Sequence, residues 1–456
     1  FAPDCNIAGV SNQPHRKPSV MDTTASLSMP TERAAPKPVP IISIAAAVTG
    51  NVLEFYDFTT YAFFAVMIGK QFFPATDPLI SLLLSVATFG VGFVTRPLGG
   101  ILIGAYGDRA GRKPAMMLTV ALMAVGMLLL ALTPSYATIG PIAPVLVVTA
   151  RLIQGFALGG EVGPATSFLI EAAPPDKRAF YGSWQIASQG LSAMLAGAVG
   201  VTMSAILSAE DMLAWGWRIP FLLGILIIPV GLFMRSKIPE TLDLDAPTIH
   251  HSVGGVLGAL FTEHARPVVL ALLIIMAGTI STYILSYMTT YAMTTLHMPA
   301  GISIAATMVV GFMTFVFAVI SGWMADRWGR KPILIVPRIL LILVAYPAFL
   351  MMNQAHTAPS LLLLSGLMAA LGGMSAAVSV VMIPESLPKS VRSAGFSVAY
   401  ALAVTIFGGT TQLVVTWLIG ATGNPLSPAW YLIVSSLIGL VAMVMMPETK
   451  GRALED

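Results

Sequence analysis

From about residue 41 to residue 447 the chain is a succession of long apolar runs separated by short polar breaks. A run of about 20 apolar residues is what a helix needs to cross a bilayer. Composition agrees: 56% of the residues are apolar and 10% are charged, against about 25% charged in a soluble domain. A soluble enzyme, a disordered chain and a disulfide scaffold are excluded. Strand-type alternation is missing, which excludes an outer-membrane barrel. The runs predict an all-α membrane protein of twelve helices: 43–69, 79–104, 114–133, 142–173, 178–207, 217–235, 266–292, 301–325, 332–352, 360–386, 393–420 and 429–447. The fourth holds Gly155, Gly159, Gly160, Gly163 and Pro164, so a kink is expected there.

The 24 Lys and Arg residues set the expected topology. With the N-terminus inside, nineteen fall in the tails or inner loops, and only Lys70 and Arg218 lie near the outer side. That bias predicts cytoplasmic termini and a bacterial inner-membrane location. The polar, Pro-rich residues 1–40 read as a flexible tail, with Met21 as the expected start and residues 1–20 as non-native. Residues 236–265 are the longest inner connection and split the helices into six (41–235) and six (266–447), followed by a cytoplasmic tail, 448–456. The net charge of +3 gives no reason to expect a nucleic-acid partner, and the single Cys5 leaves no disulfide framework or thiolate metal site. None of the six His lies mid-span, and no cofactor or metal is expected.

The halves repeat. Gly107-Asp-Arg-Ala-Gly-Arg-Lys-Pro114 recurs as Ala325-Asp-Arg-Trp-Gly-Arg-Lys-Pro332, 218 residues on. Glu171, Pro174 and Arg178 recur as Glu385, Pro388 and Arg392, and Pro239-Glu-Thr241 as Pro447-Glu-Thr449. Parallel repeats of six helices predict two pseudo-symmetric halves that rock about a central site.

The doubled loop resembles the signature of the major facilitator superfamily. Gly50-Asn-Val-Leu-Glu-Phe-Tyr-Asp-Phe58, Arg96-Pro-Leu-Gly-Gly100, Arg151-Leu-Ile-Gln-Gly155 and Trp215-Gly-Trp-Arg-Ile-Pro-Phe221 resemble its metabolite:proton symporters. Tyr181-Gly-Ser-Trp-Gln185 and the stretch from Val398 to Gly409 look most like the citrate/tricarballylate–proton symporters. The resemblance implies a transporter rather than an enzyme. It implies that Asp108, Arg109 and Arg112, with Asp326, Arg327 and Arg330, act as gating loops that cap helix ends and lock the inner side.

Six formal charges lie inside spans, and five are in the first half: Glu54, Asp57, Arg96, Arg151 and Glu161. Ionisable groups in a span are expensive and mark pathways. Asn51, Glu54, Asp57 and Tyr61 fall along one broad side of the first helix. A carboxylate withdrawn from water can take and release a proton near neutral pH, so Asp57, Glu54 and Glu161 are candidates for the coupling proton. They could equally be structural partners of the arginines. Arg151 and Arg96 suit bidentate carboxylate capture, or permanent pairing with those acids. Arg338, seven residues from Lys331, reads as snorkelling or lipid-facing. Asn51, Tyr181, Gln185, Tyr283, Tyr287, Tyr400 and Thr411 could complete a substrate's hydrogen bonds, or serve as helix–helix contacts.

The expectation is a proton-coupled importer of a small organic anion by alternating access, a tricarboxylate such as citrate or tricarballylate first. A dicarboxylate, alpha-ketoglutarate, shikimate or a zwitterionic osmolyte is the alternative. The osmolyte is disfavoured because the proline/betaine symporters carry a long C-terminal coiled coil that the short tail lacks. The partners expected are the substrate, protons and the lipid bilayer. The fold requires no second subunit, so a monomer is expected.

Overall fold

A computed structural model describes residues 41–110, 112–159, 166, 169–170, 173–236, 265–387 and 392–451. Among the described residues every regular element is helical. The main helices are α1 (Ile41–Phe63), α2 (Pro78–Val94, continuing as Arg96–Ala110), α3 (Arg112–Leu132), α4 (Ile142–Leu158), α5 (Arg178–Ile206) and α6 (Arg218–Ser236). The second half supplies α7 (Ala265–Ser286), α8 (Ala300–Trp328), α9 (Arg330–Ala355), α10 (Ala358–Glu385), α11 (Arg392–Ala403, resuming as Gly409–Thr422) and α12 (Ser427–Met445). Twelve helices in two halves of six is the expected architecture. Eight of them are long and apolar enough to cross a membrane by themselves.

Local chemistry sets the ends. Asp77 caps α2 by accepting from the Leu79 N–H at 2.8 Å, with Pro78 in the first turn. Thr357 caps α10 in the same way. Several helices depart from the sequence expectation, the first and the eleventh among them. The first was expected unbroken over 43–69, but it bends by 65° at Phe64 into a short helix, Ala65–Phe72. The carbonyl of Ala65, just past the bend, accepts from the Ser85 hydroxyl of α2 at 2.6 Å. Apolar patterning runs straight through such a bend and does not reveal it. Helix α11, expected regular over 393–420, carries a π-helical turn at Val404–Gly408. The fourth helix was expected over 142–173 with a kink; α4 ends at Leu158, and 160–165, which hold Gly160, Gly163 and Pro164, lie outside the described residues. So do the tail 1–40 and most of the connection 236–265.

The halves meet along α5 with α8 and α2 with α11. A Cβ on Gly90 of α2 would lie 2.2 Å from the Gly409 carbonyl oxygen of α11, so this crossing requires glycine. An aromatic group of Phe58, Phe89 and Phe93 from the first half and Tyr283 of α7 closes the centre.

Candidate functional site

Asp57 of α1 and Arg151 of α4 face each other at the centre of the first half, both fully buried. Arg151 Nη1 lies 3.6 Å from Asp57 Oδ2 and donates to Gln154 Oε1 at 2.7 Å. Gln154 Nε2 in turn donates to Asp57 Oδ1 at 3.0 Å. The spacing of three puts Arg151 and Gln154 on one face of α4. Glycine lets that face approach α2: a Cβ on Gly155 would lie 1.6 Å from the Gly92 carbonyl oxygen.

Arg96 joins from α2. Its guanidinium carbon lies 4.6 Å from the Phe58 ring centre and 4.1 Å from that of Phe93. The Arg151 guanidinium also lies 4.6 Å from Phe58, and 4.6 Å from Tyr61. Ring faces supply negative potential where water is absent. They do not supply hydrogen-bond acceptors. Nε and Nη2 of both arginines are buried without a hydrogen-bond partner, as is Asp57 Oδ2. Among the described residues, Arg151 alone pairs with Asp57, Arg96 makes no ion pair, and four N–H-bearing nitrogens of the two guanidiniums remain unsatisfied.

The other candidates divide. Tyr283 lies against Arg96 and within the aromatic group. Tyr400 stacks on Phe396 and reaches both Arg96 and Gln189. Asn51 and Gln185 bond to each other instead: Gln185 Nε2 donates to Asn51 Oδ1 at 3.2 Å, and Asn51 Nδ2 to the Gln185 carbonyl at 3.1 Å. Tyr287, just past the end of α7, accepts from Thr416 Oγ1 of α11 at 2.8 Å. Thr411 bonds its own helix at the Phe407 carbonyl. Tyr181 meets the Phe180 ring edge to face in the first turn of α5. Glu54 turns away from Asp57 and lines a separate cavity of about 20 Å³ with Thr119, Met123 and Gly224. Glu161 lies outside the described residues.

Arg338 corrects the sequence reading. It is fully buried rather than snorkelling, with Nε donating to Ser375 Oγ at 3.2 Å and Nη1 reaching the Ala277 carbonyl at 3.4 Å. Its place on the inward face of α9 keeps it from water and lipid alike. Sequence reasoning also missed Phe58, Phe89, Phe93 and Gln189. The signals were present: Phe89 and Phe93 are four apart, Phe93 and Arg96 three apart, and Gln189 is four beyond Gln185.

At the second motif the carboxylates cap helices. Asp326 accepts from the backbone N–H groups of Ala179 and Phe180 at 3.0 and 2.8 Å, so the last turn of second-half α8 caps first-half α5. Arg330 pairs with Asp326 at 3.2 Å and bidentately with Glu385 at 3.0 and 3.2 Å. Arg327 stacks on Trp323 with its guanidinium exposed. Gly329 adopts φ +102°, the conformation that favours glycine at the turn between α8 and α9. Glu448 closes α9 by accepting from the N–H groups of Arg330 and Lys331 at 2.9 and 2.8 Å. Partial burial works against its ionisation, but four backbone N–H donors outweigh it and hold Glu448 below its ordinary value. The side chains of Asp108, Arg109 and Arg112 lie outside the described residues.

The family model described as Major Facilitator Superfamily matches residues 47–354. A citrate-proton symporter of Klebsiella pneumoniae is 36% identical over 416 residues, covering 91% of this chain and 93% of that protein. A proline/betaine transporter of Salmonella typhimurium is 33% identical over 429 residues, 91% of this chain and 84% of its own. The crystal structure of a D-xylose-proton symporter superposes with a TM-score of 0.73 over 91% of this chain and 99% of that one, at 18% identity. The chain belongs to the Major Facilitator Superfamily, a family of membrane transporters and not of enzymes.

Proposed function

We propose that the protein is a proton-coupled importer of an organic anion, with a tricarboxylate such as citrate or tricarballylate as its first substrate. The observation that carries this reading is the pairing around Arg151 and Arg96: among the described residues these two buried arginines have one carboxylate between them, Asp57 on Arg151, and keep four guanidinium nitrogens unsatisfied. A substrate carboxylate would supply the missing charge and acceptors together, and the planar fork of arginine suits it. The citrate-proton symporter among the relatives supports the choice of acid.

Asp57 is assigned the coupling proton. Its Oδ1 is engaged by Gln154, whereas Oδ2 accepts no hydrogen bond and faces Arg151. A proton arriving at Oδ2 therefore breaks no hydrogen bond, cancels the ion pair and frees Arg151 for substrate. Arg96, with Tyr283 beside it, completes the grip from α2. Release follows when the halves 41–235 and 266–447 rock and the proton leaves Asp57, so that Arg151 returns to it. Glu161 and Glu54 are secondary candidates for the proton. In this reading the protein lies in the bacterial inner membrane with cytoplasmic termini, and the motif loops gate the inner side. The Asp326 cap on α5 is the kind of cross-half contact such a gate needs.

An osmolyte reading draws on the proline/betaine relative and on the aromatic group, since ring faces can cage a quaternary ammonium. Here two guanidiniums already occupy those faces, which favours the anion. The test is uptake into proteoliposomes across a panel of radiolabelled acids and betaine, with and without an imposed pH gradient. Gradient-driven accumulation of a carboxylate is expected. Accumulation of betaine alone, or of nothing in the panel, overturns the proposal.

A further inference from the structure

A cavity of about 60 Å³ lies between the halves, lined by residues of α1, α2, α5, α7, α8 and α10. At about 30 Å³ per water it has room for two. Phe58, Phe89 and Tyr283 form the wall on the arginine side, and none of the lining residues is charged. Three of the six lining hydroxyls are already used: Thr59, Thr282 and Ser286 donate to carbonyls of their own helices. Two donors are different. Gln189 Nε2 of α5 and Ser281 Oγ of α7 are buried with no hydrogen-bond partner, and one comes from each half. Tyr400 lies beside the Gln189 side chain, and Nε2 still meets no hydrogen-bond partner. Gly372 keeps the space before Ser281 open, since a Cβ there would lie 3.0 Å from Oγ.

We infer that Gln189 and Ser281 form an uncharged subsite that reads an oxygen on the part of the transported acid remote from the arginines, the hydroxyl of a hydroxy-polycarboxylate above all. The inference rests on the anion-transport reading. Buried donors left unsatisfied are costly, so an acid that brings an acceptor to them is favoured over its deoxy analogue. A site built to hydrogen-bond a hydroxyl discriminates against the analogue lacking it far more than an apolar wall can. The donors sit on opposite halves, so they converge on the substrate only when the halves close around it.

The test compares matched acids that differ by one hydroxyl, citrate with tricarballylate and malate with succinate, in proteoliposomes of wild type, Gln189→Leu and Ser281→Ala. Wild type is expected to prefer the hydroxylated member. Each variant is expected to raise KM for that member about tenfold and to leave the deoxy member nearly unchanged, an effect the size of one lost hydrogen bond. Ser281→Ala removes a single oxygen, and Gln189→Asn, which keeps the donor, is expected to retain part of the preference. Both variants are checked for monodispersity in detergent. Equal changes for both members of a pair, or an unaltered ratio, overturn the subsite while leaving anion transport standing. Failure of wild type to take up any carboxylate overturns both readings.

Discussion

Arg151 in the first half and Arg338 in the second are both fully buried guanidiniums within membrane-crossing helices. Their surroundings differ in kind. Arg338 is held by a serine hydroxyl and a backbone carbonyl, groups that keep their state across physiological pH. Arg151 faces a carboxylate that can be protonated, and it keeps two nitrogens unsatisfied. Burial of a charge is thus no sign of function by itself. What separates the two is a partner that can switch and donors held in reserve. The first half is built to exchange partners, and the second to hold its arginine in one place.

The comparison breaks most sharply at the charges. Asp57→Asn should abolish accumulation driven by a pH gradient while sparing exchange of labelled for unlabelled substrate, both read in proteoliposomes. Survival of concentrative uptake would move the coupling proton to another acid. Arg151→Met should abolish uptake, and Arg151→Lys should raise KM about 10- to 100-fold because a point charge replaces a fork. Arg338→Met should leave transport kinetics unchanged. Arg338 has no carboxylate partner among the described residues, so its removal leaves no opposite charge buried alone, and Ser375 keeps its bond to the Leu334 carbonyl. A transport defect in Arg338→Met with an unchanged melting temperature would erase the distinction drawn between the halves.

Much of this was legible in residue order. The apolar runs predict the twelve helices, and the doubled Asp-Arg-x-Gly-Arg-Lys loop predicts the two halves. Asp57, Arg96 and Arg151 stand out because charge within a span is rare. The rest depends on which neighbour each side chain meets. Asn51 and Gln185 looked suited to substrate, but a carboxamide is its own complement, and across α1 and α5 they bond each other. Arg338 looked free to snorkel because distance along a helix says nothing about the face it occupies. The aromatic wall draws its rings from three helices, and a helical spacing rule reads only one helix at a time.

Packing offers a smaller contrast between the same two arginines. Gly155→Ala would force a Cβ to within 1.6 Å of the Gly92 carbonyl oxygen and 2.8 Å of Thr95 Oγ1, so α4 must move away from α2. Overpacking of this kind costs about 1–3 kcal/mol, and it should lower the melting temperature and raise KM together as Gln154 and Arg151 shift from Asp57. Gly278→Ala beside Arg338 meets nothing nearer than Nη2 at 4.0 Å and should leave both unchanged.

The smallest expected effect lies at the motif end of the second half. Glu448 is held below its ordinary value of 4.5 by the backbone N–H groups it accepts. The native state therefore gives up this proton more readily than the unfolded chain. The cap's contribution is complete above the unfolded value and is lost as pH falls through the lower native one. Melting temperatures of wild type and Glu448→Gln, taken from about pH 7 down to about pH 3, should differ near neutrality and converge in acid. A gap that stays constant across that range would mean that shape, and not the charge of Glu448, closes α9. The contrast with Asp57 would then widen, because the second half would hold its helix ends without using ionisation, whereas the first uses it to switch.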